Sequence, residues 1–374
     1  MKSKMMTISL LTITGLFGIL TAFLILLFII LDVPILYALI GSIIGLVLQF
    51  LLGPWLTDLN MKWIYKARFD AQIPDYLTDF IAKVCEQNNM KMPRIGYIDD
   101  GAPNAFTYGR TKNDARIILT RGIFDLLNED EVMAVVGHEL GHAIHYDMLV
   151  MTIAQLVPMV LYAVYDVCMS SKVSKSDKDN SKGEASIKVI GLIAYILYII
   201  CQYIILWLSR TREYLADEFS AEVTKNPNAL AAALVEIGFG LSTKRKDNGK
   251  SRSVSNPTTL GISDAHSSMA MAVSSYTDGE FSKQSIKNAM KWDLWNPWAT
   301  VYELNSTHPL ISKRLQAISK LSDTYGQEPY VSFDLVKPES YMDDFLKEVL
   351  ISFMPGITFI IGLIIFFLTN PGKN

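Results

Sequence analysis

The chain has 374 residues, half of them hydrophobic and 19% charged, with a formal net charge of −3, a pI near 6.0 and a mean hydropathy of +0.25. That hydropathy is high for a soluble protein and modest for a pure transporter, which implies a membrane anchor carrying a substantial water-soluble part. With no basic excess the balance argues against nucleic-acid binding, and Cys85, Cys168 and Cys201 have neither metal-ligand spacing nor the pattern of a disulfide framework.

Five uncharged apolar runs lie at about residues 5–31, 33–56, 148–165, 189–208 and 349–368. Each is long enough to cross ~30 Å of hydrocarbon as a helix. The first follows Lys2 and Lys4. It is too long for a cleaved signal peptide and lacks a small-x-small site, so it is expected to stay as an anchor. Asp32-Val33-Pro34 predicts a tight turn after it, and Pro355-Gly356 predicts a kink in the last run.

Between the second and third runs, the pattern predicts a helix at 74–89 and short strands at 94–98, 105–108 and 115–120. A short helix at 122–127 follows. Asn128 then reads as an N-cap, with Glu131 in the reciprocal capping-box position and three acids in the first turn. The helix that this cap opens contains His138-Glu139-Leu140-Gly141-His142. Two histidines four apart share a helix face and can reach one Zn²⁺ at ~2.0–2.1 Å. The intervening glutamate can serve as general base toward water at the metal.

Past the fourth run stand Glu213 and Asp217, again four apart on one face. One carboxylate can complete the metal site while the other accepts the free N–H of a ligating histidine. Residues 241–258 are rich in Ser, Lys, Arg, Asn and Gly and predict a mobile loop. There is no internal repeat.

Four stretches together carry a family resemblance: PNAFTYG (103–109), HELGH (138–142), SRTREYLAD (209–217) and STHPLISKR (306–314). In this order they resemble the signature set of the HtpX-type membrane zinc metalloproteases, relatives of the Ste-type CaaX prenyl proteases. The resemblance covers roughly residues 1–320. Two departures stand out: His145 occupies a position where the family carries a polar, often asparagine-like residue, and the chain after about 320 exceeds the usual length.

The resemblance implies one zinc ion per chain, bound by His138, His142 and Glu213, with Glu139 as base and Asp217 orienting a ligand. It also points to His308 as a donor to the tetrahedral oxyanion; the alternative for His308 is a structural cap on a helix starting near Pro309. Asn104, Ala105 and Phe106 are the candidate substrate edge, where an extended peptide adds by main-chain pairing; an ordinary sheet strand is the alternative. His145 reads as packing behind the ligands or at an interface, His266 as surface, and Asp147 as a residue that ends the soluble helix at the membrane, with a role in the site as the alternative.

The expected fold is a mainly α-helical integral membrane protein with a zincin-like (gluzincin) catalytic domain and a small β-sheet. Its expected parts are a transmembrane hairpin (1–56), a cytoplasmic zincin domain (57–147), a second transmembrane hairpin with a lysine-rich loop (148–208), a cytoplasmic part carrying the third ligand (209–348), and a final transmembrane segment and tail (349–374). Lys2 and Lys4 before the first run, and Lys62, Lys66 and Arg68 after the second, predict a multi-pass cell-membrane protein with its catalytic domain in the cytoplasm. The five lysines between 172 and 188 oppose this orientation.

If the helices carrying His142 and Glu213 run unbroken into the bilayer, the metal lies ~10 Å or less from the membrane surface. Such a site suits hydrolysis of membrane proteins or membrane-proximal peptides in quality control. A processing protease for one peptide or lipidated substrate is the alternative, against which five runs stand where the CaaX relatives have seven. A zinc scaffold without turnover has no need of Glu139.

Overall fold

In the computed structural model, the described residues are 2–31, 35–69, 71–170, 180–247, 290–291, 293–332 and 341–369. The predicted turn at Asp32-Val33-Pro34, the surface histidine His266 and most of the lysine-rich loops fall outside them.

The molecule is mainly helical. The helices α1 (Lys2–Leu31) and α2 (Ile35–Trp63) precede a small mixed unit made of α3 (Asp75–Gln87), β1 (Arg94–Ile98), β2 (Ala105–Gly109), β3 (Ala115–Thr120) and α4 (Arg121–Leu126). Then come α5 (Glu129–Ile144), α6 (Asp147–Ser170), α7 (Asn180–Thr224), α8 (Pro227–Asp247), α9 (Pro297–Leu304), α10 (Ile311–Thr324) and α11 (Met342–Thr369). The expected strands and short helices fall within a residue or two of these bounds. The five apolar runs fall on α1, α2, α6, α7 and α11. Among the described residues two segments are long and apolar enough to cross a membrane, Asp147–Ser170 and Ile187–Thr224.

The sheet order is β1-β3-β2, with β1 parallel and β2 antiparallel to β3. Strand β3 reads ARIILT, an almost unbroken apolar run, and all six of its residues are buried. That is the pattern of a strand covered on both faces. One flank of β2 is bonded to β3, and the strand packs against α5.

Two large apolar cores result, beside a small cluster of Met61, Ala67, Ile98, Phe106 and Ile118. One joins α3, β3, α5, α8 and α10 through Leu77, Ile117, Leu140, Leu234 and Leu315. The other joins α1, α6 and α7 through Leu16, Phe23, Val157, Leu161 and Leu208. Helix α7 runs unbroken for 45 residues, about 67 Å at 1.5 Å per residue. It therefore belongs to both cores.

Two sequence expectations are corrected. Helix α5 does not continue into α6. It ends at Ile144 with His145 as its C-cap, and Tyr146 takes φ 58° before α6 begins at Asp147. Residues 241–247, expected in a mobile loop, extend α8 instead.

Candidate metal centre

Helix α5 starts as its sequence predicts. The Asn128 side chain accepts from the Glu131 amide at 3.1 Å, and the Glu131 carboxylate accepts from the Asn128 amide at 2.9 Å. This reciprocal cap fixes the helix start. Ten residues on, the motif meets α7. A Cβ at Gly141 would lie 3.1 Å from the Ala216 Cα and 3.2 Å from the Phe219 Cβ. Glycine inside the motif therefore lets the two helices approach closely enough for α7 to bring its carboxylates to the histidines.

His138, His142 and Glu213 converge, each offering a ligand atom within 4.8 Å of the others. The two Nε2 atoms are 3.1 Å apart. They lie 3.5 Å (His138) and 3.4 Å (His142) from the Glu213 carboxylate oxygens. A tetrahedral site with 2.0–2.1 Å ligand bonds has edges of about 3.3 Å, so this donor set fits zinc. Its chemistry fits as well, with two imidazoles and one carboxylate.

The far side of each histidine is occupied. His138 Nδ1 lies 2.9 Å from Asp217 Oδ1, and His142 Nδ1 lies 2.7 Å from Asp147 Oδ2. With Nδ1 hydrogen-bonded, Nε2 of each ring faces Glu213 and is the atom that can bind a metal once it is deprotonated. In the metal-free protein these carboxylates also retain protons on the rings. Burial works against the His138 cation, but Asp217 and Glu213 outweigh it and hold the ring above its ordinary value. For His142, burial is outweighed chiefly by Asp147, and the ring is pushed up to about 9.

Arg314, from α10, lies under both α7 carboxylates and is 1% exposed. Its Nε and Nη2 donate to Asp217 at 2.9 and 2.6 Å, and its Nη1 lies 3.4 Å from Glu213. This fork compensates a buried pair of acids that share a helix face. The same acids raise the arginine still further above its ordinary value against the pull of burial.

Glu139 is buried, and its carboxylate accepts from the Thr107 hydroxyl at 2.8 Å. His308 directs Nε2 to within 3.6 Å of Glu213, and its Nδ1 is 2.9 Å from the Thr307 hydroxyl. The first residue of α10 is Ile311, capped by Leu310 without a side-chain bond. The His308 ring therefore faces the metal cluster and does not cap the helix. Ala105 is buried in the first core and Phe106 in the small cluster with Met61 and Ile118, and Asn104 is tied to Thr120 through its main-chain amide and carbonyl. What β2 offers near Glu139 is main chain and the Thr107 hydroxyl.

His145 stands apart from the cluster, edge-on to Phe219 with 5.6 Å between ring centroids. Asp147, expected first to end a helix and only as the alternative to belong to the site, sits against His142. Thr107, Arg212 and Arg314 are the site neighbours that the sequence reading left without a role. Arg314 closes the STHPLISKR stretch and Arg212 precedes Glu213, but their partners lie far along the chain.

A profile of peptidase family M48 matches residues 72–322. The protease HtpX homolog of Methanothermobacter thermautotrophicus is 38% identical over 210 residues, covering 56% of this chain and 75% of that protein. The protease HtpX homolog of Lactobacillus helveticus is 32% identical over 224 residues, covering 57% and 74%. Among solved structures, S. mikatae Ste24p aligns at a TM-score of 0.48 and 17% identity, over 84% of this chain and 64% of that one. The chain belongs to peptidase family M48, as a metalloprotease of the HtpX type.

Proposed function

We propose that this protein is a zinc-dependent endopeptidase that cleaves membrane proteins, or segments close to the membrane, in membrane-protein quality control. The observation that carries the reading is the convergence of His138, His142 and Glu213, with Glu139 beside them on α5. Zinc, when bound by these three side chains, supplies a Lewis acid for the scissile carbonyl and acidifies the attacking water.

The protein's own groups do the rest. Glu139 takes the proton of the water and delivers it to the leaving amine. Thr107 holds that carboxylate in place from β2. His308, whose Nε2 lies beside Glu213, donates to the developing oxyanion. Asp217, itself clamped by Arg314, keeps His138 in the tautomer that presents Nε2. The flank of β2 around Asn104, Ala105 and Phe106 receives an extended peptide by main-chain pairing.

The site's position supports a membrane-linked substrate. Helix α7 carries Glu213 on the same unbroken helix as the apolar stretch 187–208, and α6 starts three residues after α5 ends. We place the catalytic part in the cytoplasm on the lysines and arginine flanking the first two runs, with five membrane crossings and the division of the chain set out above.

The deciding experiment measures zinc content and cleavage of a membrane-protein substrate together, in detergent-purified full chain. Wild type should hold one zinc and cleave. Glu139→Gln should keep the zinc and lose cleavage, and Glu213→Ala should lose both. Cleavage by Glu139→Gln at the wild-type rate would overturn the assignment of the base.

A further inference from the structure

Asp147 belongs to neither the HExxH nor the Glu-x-x-x-Asp motif, yet it touches His142. In a continuous helix this contact is impossible. Positions five apart lie about 140° around the axis from one another. The break after α5 makes the contact. Tyr146 adopts φ 58°, a conformation unfavourable for an L side chain. The chain turns there with its amides satisfied: His145 N–H donates to Gly141 O at 3.0 Å, and Tyr146 N–H to Ala143 O at 3.2 Å. Helix α6 then starts with its first residue, Asp147, folded back toward the metal cluster.

Both oxygens of this buried carboxylate are engaged. Oδ2 accepts from His142 Nδ1 at 2.7 Å, and Oδ1 accepts from the Arg212 guanidinium. Arg212, also buried, donates to the carbonyl of His145 at 2.6 Å and to Ser9 Oγ on α1 at 2.9 Å. One guanidinium thus ties together the start of α6, the break, and α1, from a position directly before Glu213.

The two histidines are therefore backed in parallel. His138 leans on Asp217, which Arg314 holds; His142 leans on Asp147, which Arg212 holds. We propose that Asp147 is the positioning residue for His142, that Arg212 acts on the metal site through Asp147, and that α1 is thereby part of the scaffold that sets metal affinity. This rests on the reading of His138, His142 and Glu213 as zinc ligands.

The test is zinc affinity of the full chain in detergent, measured by competition with chelators of graded strength, with the visible spectrum of the cobalt-loaded protein as a second readout. Asp147→Ala should weaken affinity by ~10–100-fold. Asp147→Asn, nearly isosteric, should weaken it less and shift the cobalt bands at unchanged stoichiometry; it also carries the comparison if the alanine variant does not fold. Arg212→Ala should weaken affinity in the wild-type background and leave it unchanged in the Asp147→Asn background. Such non-additivity marks action through a shared partner, and general destabilisation does not produce it. Wild-type affinity and spectrum in Asp147→Asn would sink the proposal while leaving the ligand assignment intact. Wild-type zinc affinity in Glu213→Ala would instead overturn the ligand assignment, and this proposal with it.

Discussion

Thr107 on β2 donates its hydroxyl to the Glu139 carboxylate at 2.8 Å, so the strand proposed to receive substrate also aims the proposed base. The same hydroxyl lies 3.1 Å from the Glu139 main-chain carbonyl, which fixes the strand against α5. Thr107→Val keeps the shape and removes the donor. Hydrogen bonds to charged groups contribute about 1.5–3 kcal/mol, so kcat should fall roughly tenfold or more, with KM and zinc content little changed. Steady-state kinetics on zinc-loaded protein checks this; an unchanged kcat means the carboxylate is aimed by other contacts.

His308 is expected to act mainly in the transition state. Loss of one oxyanion donor in other hydrolases lowers kcat by roughly 10²–10³. His308→Ala should do so here, with KM and zinc content retained. If turnover per zinc-loaded, folded molecule stays near wild type, His308 is only a neighbour of Glu213.

Arg314 is the charge that balances Glu213 and Asp217. Removing one partner of a buried ionic cluster costs about 3–5 kcal/mol, because the remaining charges are left uncompensated. Arg314→Met should therefore lower thermal stability strongly in metal-free protein. Arg314→Lys should recover only part of the loss, since an ammonium cannot reproduce the fork on Asp217. A melting temperature of Arg314→Met equal to wild type would contradict this account.

Asp293 links stability to pH. It is buried, and its Oδ2 accepts from Ser312 at 2.7 Å. Its Oδ1 has no hydrogen-bond partner among the described residues. Burial pushes the carboxyl up to about 6 from 3.8. A raised folded-state value favours the neutral acid. The stability it contributes is complete below about pH 4 and is lost as pH rises through about 6, on the order of 2–3 kcal/mol. Asp293→Asn should flatten this slope and stabilise the protein above pH 6. Melting curves across pH 4–8 measure it, and identical slopes in the two proteins would exclude Asp293 as the source.

The orientation is open to a labelling test. Cys85, Cys168 and Cys201 are buried, which leaves an introduced thiol as the main accessible target. A cysteine at Ser174 should react with an impermeant reagent added outside intact cells. One at Ser251 should react only after permeabilisation. The reverse pattern would put the catalytic part outside and show that the lysine-rich loop sets the topology.

The sequence by itself determined the features that depend on neighbours within a turn or two. The Asn128 cap, the shared face of His138 and His142, the shared face of Glu213 and Asp217, and the strands around the turns before β3 all follow from local spacing and turn chemistry. The tertiary structure decided which groups stand behind these residues. Arg314 meets Asp217 across 97 positions of chain and Arg212 meets Asp147 across 65, and no local period encodes such distances. Asp147 shows the difference most sharply. It is only five residues from His142, but helical continuation would turn it away by more than a third of a turn, and only the break at Tyr146, held by Arg212 through the His145 carbonyl, turns it back.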